Sequence, residues 1–291
     1  MSDRSYLERL AARCAVARTV LCVGIDPDPA SLPPGFSPDL AGVERFARLL
    51  VEAAAPYAAA VKPNLAFFEA FGSAGLAALE RVRAVVPTGI PVVVDGKRGD
   101  ISSTVARQAV AIFDVLGADA VTVNPYLGGE AVSPLFERLD RFAYLLCRTS
   151  NPGARELQDL VVGGTGTTPA EPLWARVARL ATGWGPGGTV GLVVGATATL
   201  ELAAIRAIAP GLAFLVPGAG AQSGAIGPVL RHGPATNAPA GGRTGGGLLV
   251  NVSRSIALAA AGPAPEGAPR DLAERLAAAA ADWAGRLPVL P

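Results

Sequence analysis

Residues 91–104 read PVVVDGKRGDISST. The apolar run Pro91–Asp95 ends abruptly in charge, and a helical pattern, Ser103–Leu116, follows within a few residues. Three consecutive valines suit a strand buried on both faces, where polar alternation is not needed. Working outward, the same unit recurs. Strand-like runs are Val20–Ile25, Ala58–Val61, Pro91–Asp95, Ala120–Asn124, Phe142–Cys147, Thr189–Val194, Ala213–Val216 and Leu248–Asn251. Amphipathic stretches separate them: Val43–Ala54, Gly75–Val85, Ser103–Leu116, Val132–Leu139, Pro172–Ala181, Thr199–Ile208 and Ile226–Arg231. Helices Ser5–Arg18 and Leu272–Gly285 flank the set. The pattern predicts an α/β protein: a single (β/α)8 TIM barrel domain over residues 1–291, with an N-terminal helix and long loops at the carboxyl-end face. An open doubly wound sheet would ask for a GxGxxG turn after the first strand, where this chain has GIDPDP.

Three segments exceed ordinary barrel loops: Asp26–Asp39, Thr149–Glu171 and Gly233–Gly247. The first two follow strands, on the face where barrel chemistry collects. The third, mostly Gly, Pro, Ala and Thr, reads as a tolerated surface insertion.

The formal charge of the 291 residues is only +1, which argues against a nucleic-acid partner. Apolar residues make up 51% and charged residues 17%, with mean hydropathy +0.39, so a membrane has to be considered. Every apolar stretch is cut by Glu, Arg, Asp or Pro before the ~18 residues a spanning helix needs. The N-terminus, MSDRSYLERLAARCAVARTV, is charged throughout, which predicts no signal peptide and a soluble, cytoplasmic protein. Cys14, Cys22 and Cys147 have no CxxC spacing, so neither a disulfide framework nor a zinc site is expected.

Of 25 basic residues only two are lysines, Lys62 and Lys97. Arginine serves wherever charge alone is wanted. An ammonium, unlike a guanidinium, releases a proton at an accessible pKa, which marks both positions. Both fall at strand ends, among Asp26, Asn64, Asp95, Asp100, Asn124, Ser150, Asn151, Asn251, Ser253 and Arg254. Charged groups ending such apolar strands are costly unless paired or functional. A structural ion-pair ring is the alternative reading, and the placement of both lysines favours function. His232, the sole histidine, reads as a surface residue of a flexible loop, which excludes histidine triads and histidine metal clusters. Glu69 and Glu130 read as helix-start charges, and Cys22 and Cys147 as small core residues.

DGKRGDISST resembles the Asp-x-Lys-x-x-Asp-Ile signature of the orotidine 5′-phosphate decarboxylase family, and its DGKRGD core looks like the longer-chain bacterial subgroup (type 2). The likeness extends through LCVGIDP, VKPN, TSNPGA, PGAGAQSG and VSRSI, over about Leu21 to Ile256. It implies conversion of orotidine 5′-monophosphate to uridine 5′-monophosphate and CO2, without cofactor or metal. Lys97 would stabilise a C6 carbanion and protonate it, Asp95 would face the substrate carboxylate, and Lys62 would hold the acids ionised. Asp100, from the partner subunit of a homodimer with shared active sites, would complete the array. Asp26 would contact ribose hydroxyls, with Ile101 and Thr104 reaching across the dimer, and Ser150 the pyrimidine. Pro217, Gly218, Gly220, Gln222, Ser253 and Arg254 would hold the phosphate. The resembling magnesium-dependent decarboxylases of 3-keto sugar phosphates carry Glu where this chain has Lys62, and an ammonium there would repel the metal.

Overall fold

The computed structural model describes residues 4–164, 169–220, 222, 224–238, 242–243, 245–261 and 271–289. Eight strands form one parallel ring: β1 (Leu21–Ile25), β2 (Ala60–Pro63), β3 (Val93–Arg98), β4 (Ala120–Val123), β5 (Phe142–Arg148), β6 (Val190–Val194), β7 (Ala213–Pro217) and β8 (Leu248–Val252). Hydrogen-bonded neighbours run β2-β1-β8-β7-β6-β5-β4-β3. The ring closes where β2 and β3 meet at Val61–Val92 and Asn64–Asp95. Helices between the strands cover the outside, as continuous apolar runs such as Val92–Val94 require. Among the described residues, no helix is long and apolar enough to cross a membrane.

Two cores result. The outer one lies between strands and helices, with Val23, Val61, Val94, Val121 and Leu145 turned outward onto Phe46, Leu79 and Phe113. The inner one fills the barrel with Cys22, Ala60, Val93, Ala120, Phe142, Tyr144, Val193 and Leu249. Side chains two apart share a face of a strand. Continuing the inward set toward the carboxyl ends therefore reaches Asp26, Lys62, Asp95, Lys97 and Asn251.

The amino end of the barrel is plugged by helix Tyr6–Ala17. Ser5 Oγ accepts the Glu8 N–H, and the Glu8 carboxylate accepts the Ser5 N–H, a capping box that fixes where the helix starts. Its Tyr6, Leu7, Leu10 and Cys14 enter the inner core. The Tyr6 ring stacks on Phe142 at 4.7 Å, and its hydroxyl meets that of Tyr144 at 3.0 Å. Each such large side chain contributes about 1.5–3 kcal/mol by leaving water. The plug leaves the opposite, carboxyl-end mouth as the open one.

Several expectations need correction. Val132–Leu139 is not a helix: a single turn, Gly129–Val132, passes into a 3-10 turn, Ser133–Leu135. Pro134 has no N–H to continue an α-helix. The segment Thr149–Glu171 is not wholly loop, since it holds helix Ala154–Gln158 and an antiparallel ladder of Val161–Val162 with Glu171–Pro172. Residues 165–168 of its GGTGTTP stretch lie outside the described residues.

Gly233–Gly247, read as a tolerated insertion, is hydrogen-bonded to the barrel at both ends. The buried Arg206 guanidinium donates to the Gly233 carbonyl at 2.5 Å, and Phe214 N–H to Gly247 O at 2.8 Å. Positions 239–241 and 244 lie outside the described residues. His232 is the last residue of helix Ile226–His232 and half-buried, not a loop residue; its carbonyl accepts from Arg206. Glu69 and Glu130 both lie in first helical turns as expected, and Glu69, also the last residue of its single-turn helix Ala66–Glu69, pairs with Arg98. Cys22 and Cys147 are buried within strands as expected; burial pushes the Cys22 thiol up to about 12 and raises that of Cys147 as well.

Candidate active site

Four strand ends bring charge to the open mouth. Lys62, 3% exposed on β2, donates to Asp95 Oδ2 at 2.5 Å. Lys97, two residues beyond Asp95, donates to Oδ1 at 2.7 Å. The Asp95 carboxylate is thus held between two ammonium groups, with its side chain 13% exposed and that of Lys97 51% exposed. Burial alone would raise the Asp95 carboxyl, but the Lys62 and Lys97 charges override it and hold it well below the usual carboxylate range. Burial likewise favours a neutral Lys62, yet Asp95 and Asp26 hold its amine above the ordinary lysine value. Both stay ionised at neutral pH.

Lys97 has φ +44°, a left-handed backbone rarely adopted by a side chain of this kind and costing about 1–3 kcal/mol. The strain has a local origin. Val94 pairs with Val121 and Arg98 with Val123, so three residues of β3 (Asp95, Gly96 and Lys97) stand opposite one residue of β4, Thr122. The bulge turns both Asp95 and Lys97 into the mouth.

The mouth is a cavity of about 290 Å³. It is lined by eleven of the fourteen residues expected from sequence: Asp26, Lys62, Asp95, Lys97, Ser150, Pro217, Gly218, Gly220, Gln222, Ser253 and Arg254. Gly218, after β7, has φ +91°, and a Cβ there would come within 2.6 Å of Gln222 Oε1 and 3.1 Å of Ser150 Cβ. Glycine lets the loop fold over the β5 end. Across the mouth, a Cβ at Gly24 would come 2.6 Å from Ser253 Cβ, so β1 and the β8 end approach closely. Arg148 supports the β5 end from beneath. Its buried guanidinium reaches Asp159 at 3.1 Å and Glu201 at 3.5 Å and donates to the Thr149 carbonyl.

Asp100, Ile101 and Thr104 do not line this cavity. Asp100 Oδ1 accepts the Ile101 N–H at 2.7 Å, and Ile101 and Thr104 are exposed. The sequence reading missed Thr122, a buried cavity residue whose hydroxyl donates to Asp95 Oδ1 at 2.9 Å. The signal was one hydroxyl within an apolar strand, AVTV. Asp26 Oδ1 and Asn251 Oδ1 are buried acceptors with no hydrogen bond among the described residues, and both residues line the cavity. Unmatched buried acceptors call for donors such as hydroxyls. No cluster of three or more His, Cys, Asp or Glu groups placed for a metal occurs among the described residues.

A closed barrel with a Lys-Asp-Lys array and a glycine-rich loop at its open mouth defines a (β/α)8-barrel enzyme. The chain belongs to the orotidine 5′-phosphate decarboxylase / HUMPS family, whose model matches residues 19–268. It is 47% identical over 253 residues to an orotidine 5′-phosphate decarboxylase of Thermomicrobium roseum, covering 87% of this chain and 86% of that one. A protein of the same name from Herpetosiphon aurantiacus is 42% identical over 270 residues, covering 92% and 95%. Among solved structures, the orotidine monophosphate decarboxylase of Leishmania donovani superimposes with TM-score 0.76 at 38% identity, covering 97% of this chain and 99% of that chain.

Proposed function

We infer that the site decarboxylates orotidine 5′-monophosphate, giving uridine 5′-monophosphate and CO2, as a cytoplasmic carboxy-lyase of de novo pyrimidine synthesis. Nearly full-length relatives of that name at 42–47% identity support the activity. The observation that carries the chemistry is the Lys62–Asp95–Lys97 chain of ion pairs at the cavity floor.

Loss of CO2 from C6 leaves an electron pair in an sp2 orbital orthogonal to the ring π system, so the ring offers no electron sink. The barrier reduction needed lies near the upper end of what enzymes reach, roughly 23 kcal/mol. Fixed charge has to supply it. The C6–carboxylate bond breaks heterolytically, CO2 departs, and the pair left on C6 is stabilised by the Lys97 ammonium. Lys97 then gives its proton to C6 and is recharged from solvent. Asp95 faces the substrate carboxylate, and that repulsion eases as CO2 leaves. Lys62 keeps Asp95 ionised, as their 2.5 Å contact supports.

Asp26, with its unmatched Oδ1, accepts from ribose hydroxyls, and Ser150 hydrogen-bonds the pyrimidine. Pro217, Gly218, Gly220, Gln222, Ser253 and Arg254 grip the phosphate, the usual position for such a site in these barrels. Asp100, Ile101 and Thr104 act in the cavity of a partner subunit in a two-fold homodimer, which accords with their place outside their own cavity. One barrel domain then spans residues 1–291.

The family description also covers the HUMPS enzymes, and Lys62 separates the two chemistries: its ammonium occupies the position where a metal-binding carboxylate would be needed. The test is the loss of orotidine 5′-monophosphate ultraviolet absorbance with protein dialysed against a strong chelator. An unchanged rate is expected. Folded protein that leaves the absorbance unchanged, with or without added magnesium, would overturn the reading, and a rate that returns only with magnesium would contradict its metal independence.

A further inference from the structure

We propose that Thr122 is a positioning residue for the reaction, its hydroxyl setting both the orientation of the Asp95 carboxylate and the left-handed turn that aims Lys97. The inference rests on the reading of this cavity as a decarboxylation site. Thr122 is 2% exposed on β4, flanked by the outward-facing Val121 and Val123. Its single Oγ makes three hydrogen bonds. It donates to Asp95 Oδ1 at 2.9 Å and accepts the N–H groups of Gly96 at 3.1 Å and Lys97 at 3.0 Å.

The arrangement follows from the bulge. With three residues of β3 opposite one of β4, the regular ladder cannot reach the Gly96 and Lys97 amides. Half-buried amides cut off from the ladder need partners, and one oxygen that both donates and accepts satisfies them. The same hydroxyl spends its proton on Asp95. Backbone and carboxylate are therefore locked to one atom, and the Lys97 ammonium, 2.7 Å from Asp95 Oδ1, inherits its place from both. Valine has threonine's shape without the oxygen; serine keeps the oxygen without the methyl.

In Thr122→Val, kcat should fall about 100-fold, the usual cost of losing one preorganised donor, with KM changed less than about threefold. The phosphate and ribose contacts are untouched, so affinity for uridine 5′-monophosphate should hold. Thr122→Ser should recover kcat to within about tenfold of wild type. A crystal structure of Thr122→Val should show Lys97 out of the left-handed region. Thr122→Ala, with the same expected outcomes, serves if valine disturbs folding.

A Thr122→Val enzyme within about threefold of the wild-type kcat would overturn the proposal. So would a serine variant as slow as the valine one, a defect confined to KM, or an unmoved Lys97 φ. The backbone readout needs no substrate. A wild-type protein inert toward orotidine 5′-monophosphate would therefore reject the proposed function and still leave the hydroxyl's control of the bulge to be read from the variant structure.

Discussion

Lys62 and Asp95 form a buried ion pair at 2.5 Å, reaching across from the end of β2 to the end of β3, with side chains 4% and 13% exposed. Desolvation makes such a pair expensive to break from one side, because the remaining charge is left unmatched. The pair is also the base on which Lys97 stands, through the other oxygen of the same carboxylate.

Its pH dependence has a defined sign. The Asp95 carboxyl is held below its ordinary value, so its contribution is complete above an unfolded pKa of about 3.9 and is lost as pH falls through the depressed native value. Lys62 is held above its ordinary value, so its contribution is complete below about 10.4 and is lost as pH rises through the raised native value. Urea unfolding of wild type and Asp95→Asn should differ by about 3–5 kcal/mol, level from about pH 5 to 9 and shrinking below about pH 4. A difference already gone at pH 6 would contradict the ion-pair account.

Lys97 carries a demand on chemistry as well as charge. Lys97→Ala should lower kcat by roughly a thousandfold or more, since carbanion stabilisation and protonation are lost together. Lys97→Arg should fare little better, because guanidinium does not release its proton. An arginine enzyme within about tenfold of wild type would show that charge alone suffices.

Arg254 lies exposed at the cavity rim. Arg254→Ala should raise KM and lower kcat/KM far more than a surface change does, since phosphate binding energy helps by organising the site. The control is the nucleoside without phosphate. If Arg254→Ala slows that substrate just as severely, Arg254 does not hold the phosphate.

The proposed sharing of sites between subunits makes a counting prediction. Lys97→Ala and Asp100→Ala should each be nearly inactive alone. In a mixed dimer one site collects both lesions and the other is intact, so random exchange of equal amounts should restore roughly a quarter of wild-type activity. A mixture that stays dead after proven subunit exchange would place each site within one chain.

Much of this site is legible in sequence because strand geometry is so regular. Cys22, Gly24 and Asp26 step by two along β1, as Val93, Asp95 and Lys97 do along β3, so the inward face and its charged end are read together. The inward step also passes through Thr122, but a threonine between valines is equally what strand propensity favours, and only the register of β3 against β4 gives its hydroxyl three partners. The pairing of Glu69 with Arg98 is likewise tertiary. Val132–Leu139 misled because its apolar spacing is helical while Pro134 interrupts the chain of amide donors. Asp100, Ile101 and Thr104 lie outside their own chain's cavity, so no reading of one chain's geometry joins them to Lys97.

The central claim is that this chain removes CO2 from orotidine 5′-monophosphate and protonates C6. It is tested most directly by incubating the protein with the substrate in D2O and following products by NMR. The account predicts one uridine 5′-monophosphate per substrate consumed, with deuterium at C6, from wild type, and formation slower by roughly a thousandfold or more from Lys97→Ala. Intact orotidine 5′-monophosphate after prolonged incubation with folded wild-type protein would contradict it.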